Sequence, residues 1–238
     1  MAALANRARA VGIVLRWPAG MAFASWRYLW RITPLHRLDE DGGPDDCGPT
    51  IDATFHDDRL QRLEDGVGPV YHRCYGTTIE QPQLSANELI GRIAENPNRP
   101  APVEVASFRK TVGEKGLLAV GDEFVVRMPG PWDGPVRVVH RGPDSYRFAT
   151  LRGHLEAGQI EFRARDDSEQ LRFEIESWTT AGSRLSDLLY SRVRIIKEMQ
   201  LHMWTHYCER AGKLAGGRLR DGVHIHTRRY ARPSDRRA

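Results

Sequence analysis

Cysteine is scarce in this chain. Cys47, Cys74 and Cys208 are the only three among 238 residues, odd in number and widely spaced. That excludes a disulfide framework and any Cys-x-x-Cys metal motif, and it favours a reducing compartment. Long apolar runs are lacking as well. The uncharged stretch 17–26 is about half the length of a spanning helix, and the negative mean hydropathy argues against a multi-spanning membrane protein. Ala22-Phe23-Ala24 has the small-x-small form of a cleavage site, but Arg16 and Pro18 interrupt the apolar region a signal peptide needs. Nucleophile elbow, phosphate loop, dinucleotide fingerprint and internal repeat are all missing, so the hydrolase, nucleotide-binding and solenoid classes that depend on them gain no support.

Charge is unevenly spread. Residues 1–34 hold Arg7, Arg9, Arg16, Arg27 and Arg31 and no acid, whereas residues 36–66 hold ten acids against three arginines. From residue 216 the chain is basic again, with Arg218, Arg220, Arg228, Arg229, Arg232, Arg236 and Arg237. Blocks of this kind mark solvated or surface-binding segments more often than core. Four regions follow: an aromatic and basic helical arm over 1–35, an acidic Gly/Pro-rich linker over 36–69, a folded domain over 70–215, and a basic, flexible tail over 216–238. Trp17, Trp26, Tyr28 and Trp30 stand among the arginines of the arm, a composition suited to a membrane–water interface or to packing on a partner or on the domain itself.

The folded region shows its strands through alternation. Ile160, Phe162 and Ala164 are apolar between Glu161, Arg163 and Arg165; after the polar turn 166–169, Leu171, Phe173 and Ile175 alternate with Arg172, Glu174 and Glu176. A period of two places one face in the core and one in water, so Glu161, Glu174 and Glu176 read as members of a wet, charged face. Shorter strands are expected over 70–79, 104–111, 122–128, 135–141 and 145–151, with turn signals between them. Ser85 and Glu88 have capping-box spacing and open a helix running to about residue 96. A long helix over roughly 183–214 carries Leu185, Leu189, Val193, Ile196, Met203, Tyr207 and Ala211 in one stripe, and Gly216-Gly217 ends it. The expected fold is α+β: a curved antiparallel sheet of six to seven strands around a long C-terminal helix.

This order of elements resembles the helix-grip architecture of START-like and pollen-allergen-like proteins, in which a curved sheet wraps the last helix around a hydrophobic cavity. Residues 146–162, Tyr-Arg-Phe-Ala-Thr-Leu-Arg-Gly-His-Leu-Glu-Ala-Gly-Gln-Ile-Glu-Phe, are similar to the domain-of-unknown-function nineteen-ninety family and its Gly-His-Pro-Glu-x-Gly-Glu-Glu-x-Phe pattern. His154, Glu156, Gly158 and Phe162 match; Leu155 replaces the proline, and Gln159 and Ile160 replace the two acids. The resemblance spans roughly residues 70–214 and implies a fold but no activity.

Candidate chemistry is sparse. His154 and Glu156 sit in a turn between strands, where they either share a proton and hold a polar ligand group or simply shape the turn around Gly153 and Gly158. His140 is a second weak catalytic candidate. His202 and His206 are one helical turn apart, as metal-binding pairs are, but Met203 stands where a zinc protease has glutamate, so no metal or other cofactor is expected. The acidic linker offsets the basic tail and no RNA-binding strand motif appears, which argues against nucleic acid.

The expected function is binding of a hydrophobic small molecule or lipid, without catalysis, in a cytoplasmic protein. Phe124, Val126, Phe148, Phe162, Phe173, Met199 and Met203 form the pocket wall and Trp132 its mouth. One alternative is a peripheral protein at the inner face of the membrane, or on a membrane-bound complex, docking through the arm. Another is a cyclase- or hydrolase-type enzyme on the same frame, an analogy at the level of fold alone.

Overall fold

The computed structural model describes residues 33–102, 106–127, 133–183 and 195–231. The aromatic arm, Trp132 and the N-terminal part of the long helix lie outside those residues. The strands are β1 (Leu35–Asp41), β2 (Val67–Glu80), β3 (Ser107–Val112), β4 (Glu123–Arg127), β5 (Asp133–Arg141), β6 (Ser145–Thr150), β7 (Glu156–Asp167), β8 (Gln170–Ala181), β9 (Arg218–Leu219) and β10 (Val223–Tyr230). Helix α1 spans Ala86–Glu95 and helix α2 spans Ile195–Leu214. All ten strands form one sheet in the order β1-β10-β2-β8-β7-β6-β5-β4-β3, with β9 also pairing with β2. Neighbours are antiparallel except β1 and β10, which run parallel, so the sheet is mixed.

The expected α+β frame of a sheet holding a C-terminal helix is present, with more strands than alternation revealed. Strands β3 to β8 form a meander built by tight turns. Ser168, at φ +56°, turns the β7–β8 hairpin. The capping box is also in place: the Glu88 N–H donates to Ser85 Oγ at 3.4 Å, and the Ser85 N–H donates to Glu88 Oε2 at 2.8 Å.

Two segments depart from expectation. The acidic segment expected as a linker supplies β1 and then crosses the outer face of the sheet as a strap, residues 42–66. The tail expected to be flexible supplies β9 and β10. β10 inserts between β1 and β2, and its Val223 and Ile225 are buried in the main core. Composition misled because the arginines are answered by acids of the strap and of β1: Arg228 lies 2.9 Å from Asp46 and 3.5 Å from Glu40.

The strap is held by a small core and by ions. Ile51 and Leu60 are buried with Val139, Ala149 and Leu151, and Phe55 packs against them. The Gln61 N–H donates to Thr150 O at 2.9 Å, and Gln159 Nε2 donates to Pro49 O at 2.6 Å. Gly48 lies flat on the Trp178 indole, where a Cβ would come within 2.9 Å of the ring. The outer face is therefore charged, as expected, but in part closed off from water. Glu174 is only 6 % exposed and is held by Arg163 and Arg172, while His72 reaches Glu176 at 2.6 Å and Asp46 at 3.2 Å.

Candidate functional site

The inner face of the sheet carries one continuous apolar layer. Phe124 and Val126 on β4, Phe148 on β6, Phe162 on β7 and Phe173 on β8 belong to a single buried cluster with Met203, Trp204 and Tyr207 of α2. The layer therefore joins six of the predicted wall residues. The rings touch: Phe162 stacks on Tyr146 at a centroid distance of 4.8 Å and meets Tyr207 at 5.3 Å and Trp204 edge-on at 5.6 Å. Phe124 and Phe148 meet edge-on at 5.6 Å. Met199 lies on α2, but its side chain is not among those described. Trp132, Trp17, Trp26, Tyr28 and Trp30 fall outside the described residues.

Two polar features lie within this layer. The first is a pair of buried tyrosines. Tyr207 Oη donates to Pro97 O at 3.4 Å and lies 3.1 Å from Tyr146 Oη. If Tyr146 donates to Tyr207, the Tyr146 oxygen keeps its own acceptor lone pairs. Burial raises the pKa of both phenols, so both are neutral at ordinary pH.

The second is an ionic group at the β7 entrance. Arg73 on β2 comes within 3.8 Å of Glu156 on β7, and its guanidinium lies 4.6 Å above the Tyr71 ring. Glu156 also accepts from Thr179 Oγ1 at 3.3 Å and from Gln200 Nε2 of α2 at 2.8 Å. All three strand residues face inward by strand alternation, so a charged group sits at one end of an apolar layer. The sequence held a signal for Arg73: Tyr71, Arg73, Tyr75, Thr77 and Ile79 occupy the same phase of β2, and the arginine sits among the inward positions.

The predicted partnership of His154 with Glu156 takes a different form. His154 Nδ1 accepts from the backbone N–H of Glu156 at 2.9 Å, and burial lowers the imidazole pKa, consistent with a neutral ring. The Glu156 carboxylate turns instead to Arg73, Thr179 and Gln200. His154 thus shapes the turn, and Gly158 serves the same end: at φ +140°, a Cβ there would overlap the Trp178 carbonyl. His154→Ala is expected to cost roughly 1 kcal/mol, the worth of one such hydrogen bond. Thermal unfolding checks this, and a loss several times larger would assign the imidazole a further role.

His140 does not share a face with Val136 and Val138 as alternation predicts. A bulge between Val138 and His140 resets the register, so that Val138 pairs with Phe148 but His140 with Arg147. Val139 drops into the core beneath the strap, and His140 lies on the outer, charged face. His202 and His206 stack at 6.0 Å, with His206 near Glu209 at 3.2 Å. Among the described residues no group of three or more His, Cys, Asp or Glu side chains is placed to hold a metal. Among the same residues no helix is long and apolar enough to cross a membrane.

Residues 105–210, which cover β3 to β8 and most of α2, match the family described as Domain of unknown function (DUF1990). The chain carries a DUF1990 domain. The match leaves out β2 and α1, which the sequence resemblance had included. Among solved structures, the chain is similar to norcoclaurine synthase from Thalictrum flavum, in complex with dopamine and hydroxybenzaldehyde. That likeness has 7 % identity over 64 % of this chain and 89 % of the other, with a TM-score of 0.45. The di-domain ARO/CYC StfQ from the steffimycin biosynthetic pathway is similar at 13 % identity over 65 % of this chain and 52 % of the other, with a TM-score of 0.43. The ginseng major latex-like protein 151 from Panax ginseng is similar at 16 % identity over 57 % and 99 %, with a TM-score of 0.35. No curated protein matches the chain.

Proposed function

We propose that the layer between the inner sheet face and α2 binds a hydrophobic small molecule or lipid, its apolar body against the phenylalanine rings and its polar end at Arg73 and Glu156. The observation that carries this reading is the charged end of an otherwise aromatic layer. A layer built for packing alone gains little from a sequestered ion pair, because desolvation offsets most of the attraction. Arg73 and Gln200 supply donors, Glu156, Thr179 and Tyr146 supply acceptors, and the rings supply contact area. The reading is of a binder: His154 is committed to its turn, and Glu156 faces a guanidinium, so neither is poised as a general base.

Native mass spectrometry of the purified chain tests for a co-purifying molecule. Titration with a fluorescent acyl probe bearing a polar head, and with the same chain lacking the head, tests the polar end. The paired variant Arg73→Met/Glu156→Gln removes both charges of the pair together, so neither is left facing the other's vacancy. It is expected to weaken the headed probe by about tenfold, one hydrogen bond to a charged group, and to leave the headless probe unchanged. Equal affinities of wild type and variant for both probes, with no co-purifying molecule, would remove the reading.

A further inference from the structure

Among the described residues four large apolar side chains are exposed, and three of them stand at the end of β3 and in the connection to β4. Val112 is 49 % exposed, Leu117 57 % and Val120 50 %. Single exposed apolar residues need no explanation, but a group of them in one short segment marks a contact surface.

The connection, residues 113–122, is firmly built. Lys110 Nζ donates to Asp122 Oδ2 at 2.6 Å, to Glu114 O at 2.8 Å and to Leu117 O at 3.2 Å. Asp122 Oδ2 also accepts from the Ala119 N–H at 2.8 Å. One ion pair thus gathers the backbone from Glu114 to Ala119. Gly113, at φ +105°, lies so close to this pair that a Cβ there would overlap the Asp122 carboxylate. Leu118 fastens the other side: it is buried in the main core, and its N–H donates to Ala94 O of α1 at 2.9 Å. With Leu118 turned inward and the Leu117 carbonyl held by Lys110, the Leu117 side chain is kept in water by the fold itself.

Charge decides what this tip fits. Lys110 and Asp122 answer each other, and Glu123 is taken by Arg59 and Arg137. Of the exposed charges left between Arg109 and Asp122, two are cations, Arg109 and Lys115, and one is an acid, Glu114. Among the described residues neither cation has an ion partner. A stable protein interface buries roughly 800 Å² on each side, far more than three half-exposed side chains present. A bilayer asks for less, since a few apolar side chains enter at headgroup level while neighbouring cations meet anionic lipid.

We propose that the β3–β4 connection is a membrane-docking tip, which inserts Leu117 and Val120 into an anionic bilayer and sets Arg109 and Lys115 against its headgroups. The proposal depends neither on the aromatic arm nor on a ligand in the inner layer.

Co-sedimentation of the full chain with phosphatidylcholine vesicles, with and without phosphatidylserine, tests this. Binding is expected on the anionic vesicles and should weaken as salt rises. Leu117→Ser/Val120→Ser is expected to lower that affinity at least about tenfold. Its thermal unfolding should match wild type, because both side chains are already in water. Lys115→Glu is expected to cost about tenfold on the anionic vesicles. A polarity-sensitive fluorophore on Leu117→Cys, with Cys47→Ser removing the exposed thiol, reads the tip directly. Its emission should shift to the blue on anionic vesicles and be quenched by nitroxide-bearing lipid. A chain that stays in the supernatant overturns the proposal, and so do variants that bind as wild type does. A bound chain whose label remains in water also overturns it, and would assign binding to another segment such as residues 1–32. A blue shift that follows protein concentration without lipid would show a protein contact and overturn it equally.

Discussion

Phe162→Ala is expected to destabilise the protein by about 3–5 kcal/mol, the usual cost of deleting a fully enclosed phenylalanine. Phe162 is at the centre of the inner layer. Its ring meets Tyr146, Phe148, Trp204 and Tyr207, drawn from β6 and α2, so its loss removes contacts on the sheet and on the helix together. Phe173→Ala should cost about as much, since that ring is equally buried and stacks on Tyr207 at 6.2 Å. Urea denaturation measures both. The same experiment separates core from ligand wall: a loss below about 1 kcal/mol, with a large change in acyl-probe binding, would mean that a ligand and not the protein fills the space around the ring.

How far the sequence disclosed this structure depends on what kind of signal each part carried. Strands β7 and β8 were legible because twelve-residue strands with one buried face leave a long record of alternation. Helix α1 announced itself through Ser85 and Glu88. The strap left no such record, because it has no period: single residues, Ile51, Leu60 and Phe55, meet the sheet at irregular intervals, and acids do the rest. Its negative charge looked like a solvated linker only because the side chains answering it, His72, Arg137 and Arg228, lie far away in sequence. β10 did carry inward Val223 and Ile225 between His224 and His226, but the arginines beyond them outweighed that short pattern. His140 was misplaced by a one-residue bulge, an event that alternation cannot encode. Of the candidate site, the aromatic wall was readable from the strand faces. Arg73 was overlooked, although its place in phase with Tyr75 and Ile79 marked it as a charge pointing inward.

Glu123→Ala is expected to cost about 3 kcal/mol, the lower end of the range for breaking a buried ion pair. Glu123 is 7 % exposed at its side chain and sits where strap and sheet meet. It accepts from Arg59 of the strap through both oxygens, at 2.8 and 2.7 Å, and from Arg137 of β5 at 2.9 Å. Removing it strands a buried guanidinium on β5. Asp57, 2.8 Å from Arg137, still answers part of that charge and keeps the cost from rising further. Arg172→Ala on the same face should cost under about 1 kcal/mol, because that side chain is 59 % exposed. The same carboxylates make the strap sensitive to acid. Burial pushes the Glu123 pKa up, but Arg59 and Arg137 outweigh it and hold it below the usual range; Asp57 is held down by Arg137 in the same way. Asp46 is lowered by the Gly43 N–H, His72 and Arg228, and Glu176 by His72 and Arg163 against its burial. A carboxylate whose pKa is lower folded than unfolded contributes stability that is fully present above its unfolded value, about 4, and is lost as pH falls through the folded value. Three of these four groups bind strap to sheet, so below about pH 4 the strap is expected to open before the sheet does. Hydrogen exchange should then show the Leu60 and Gln61 amides losing protection at a higher pH than those of β7 and β8. Glu123→Ala should move that opening toward neutral pH, whereas simultaneous loss in strap and hairpin would show that the two unfold as one unit.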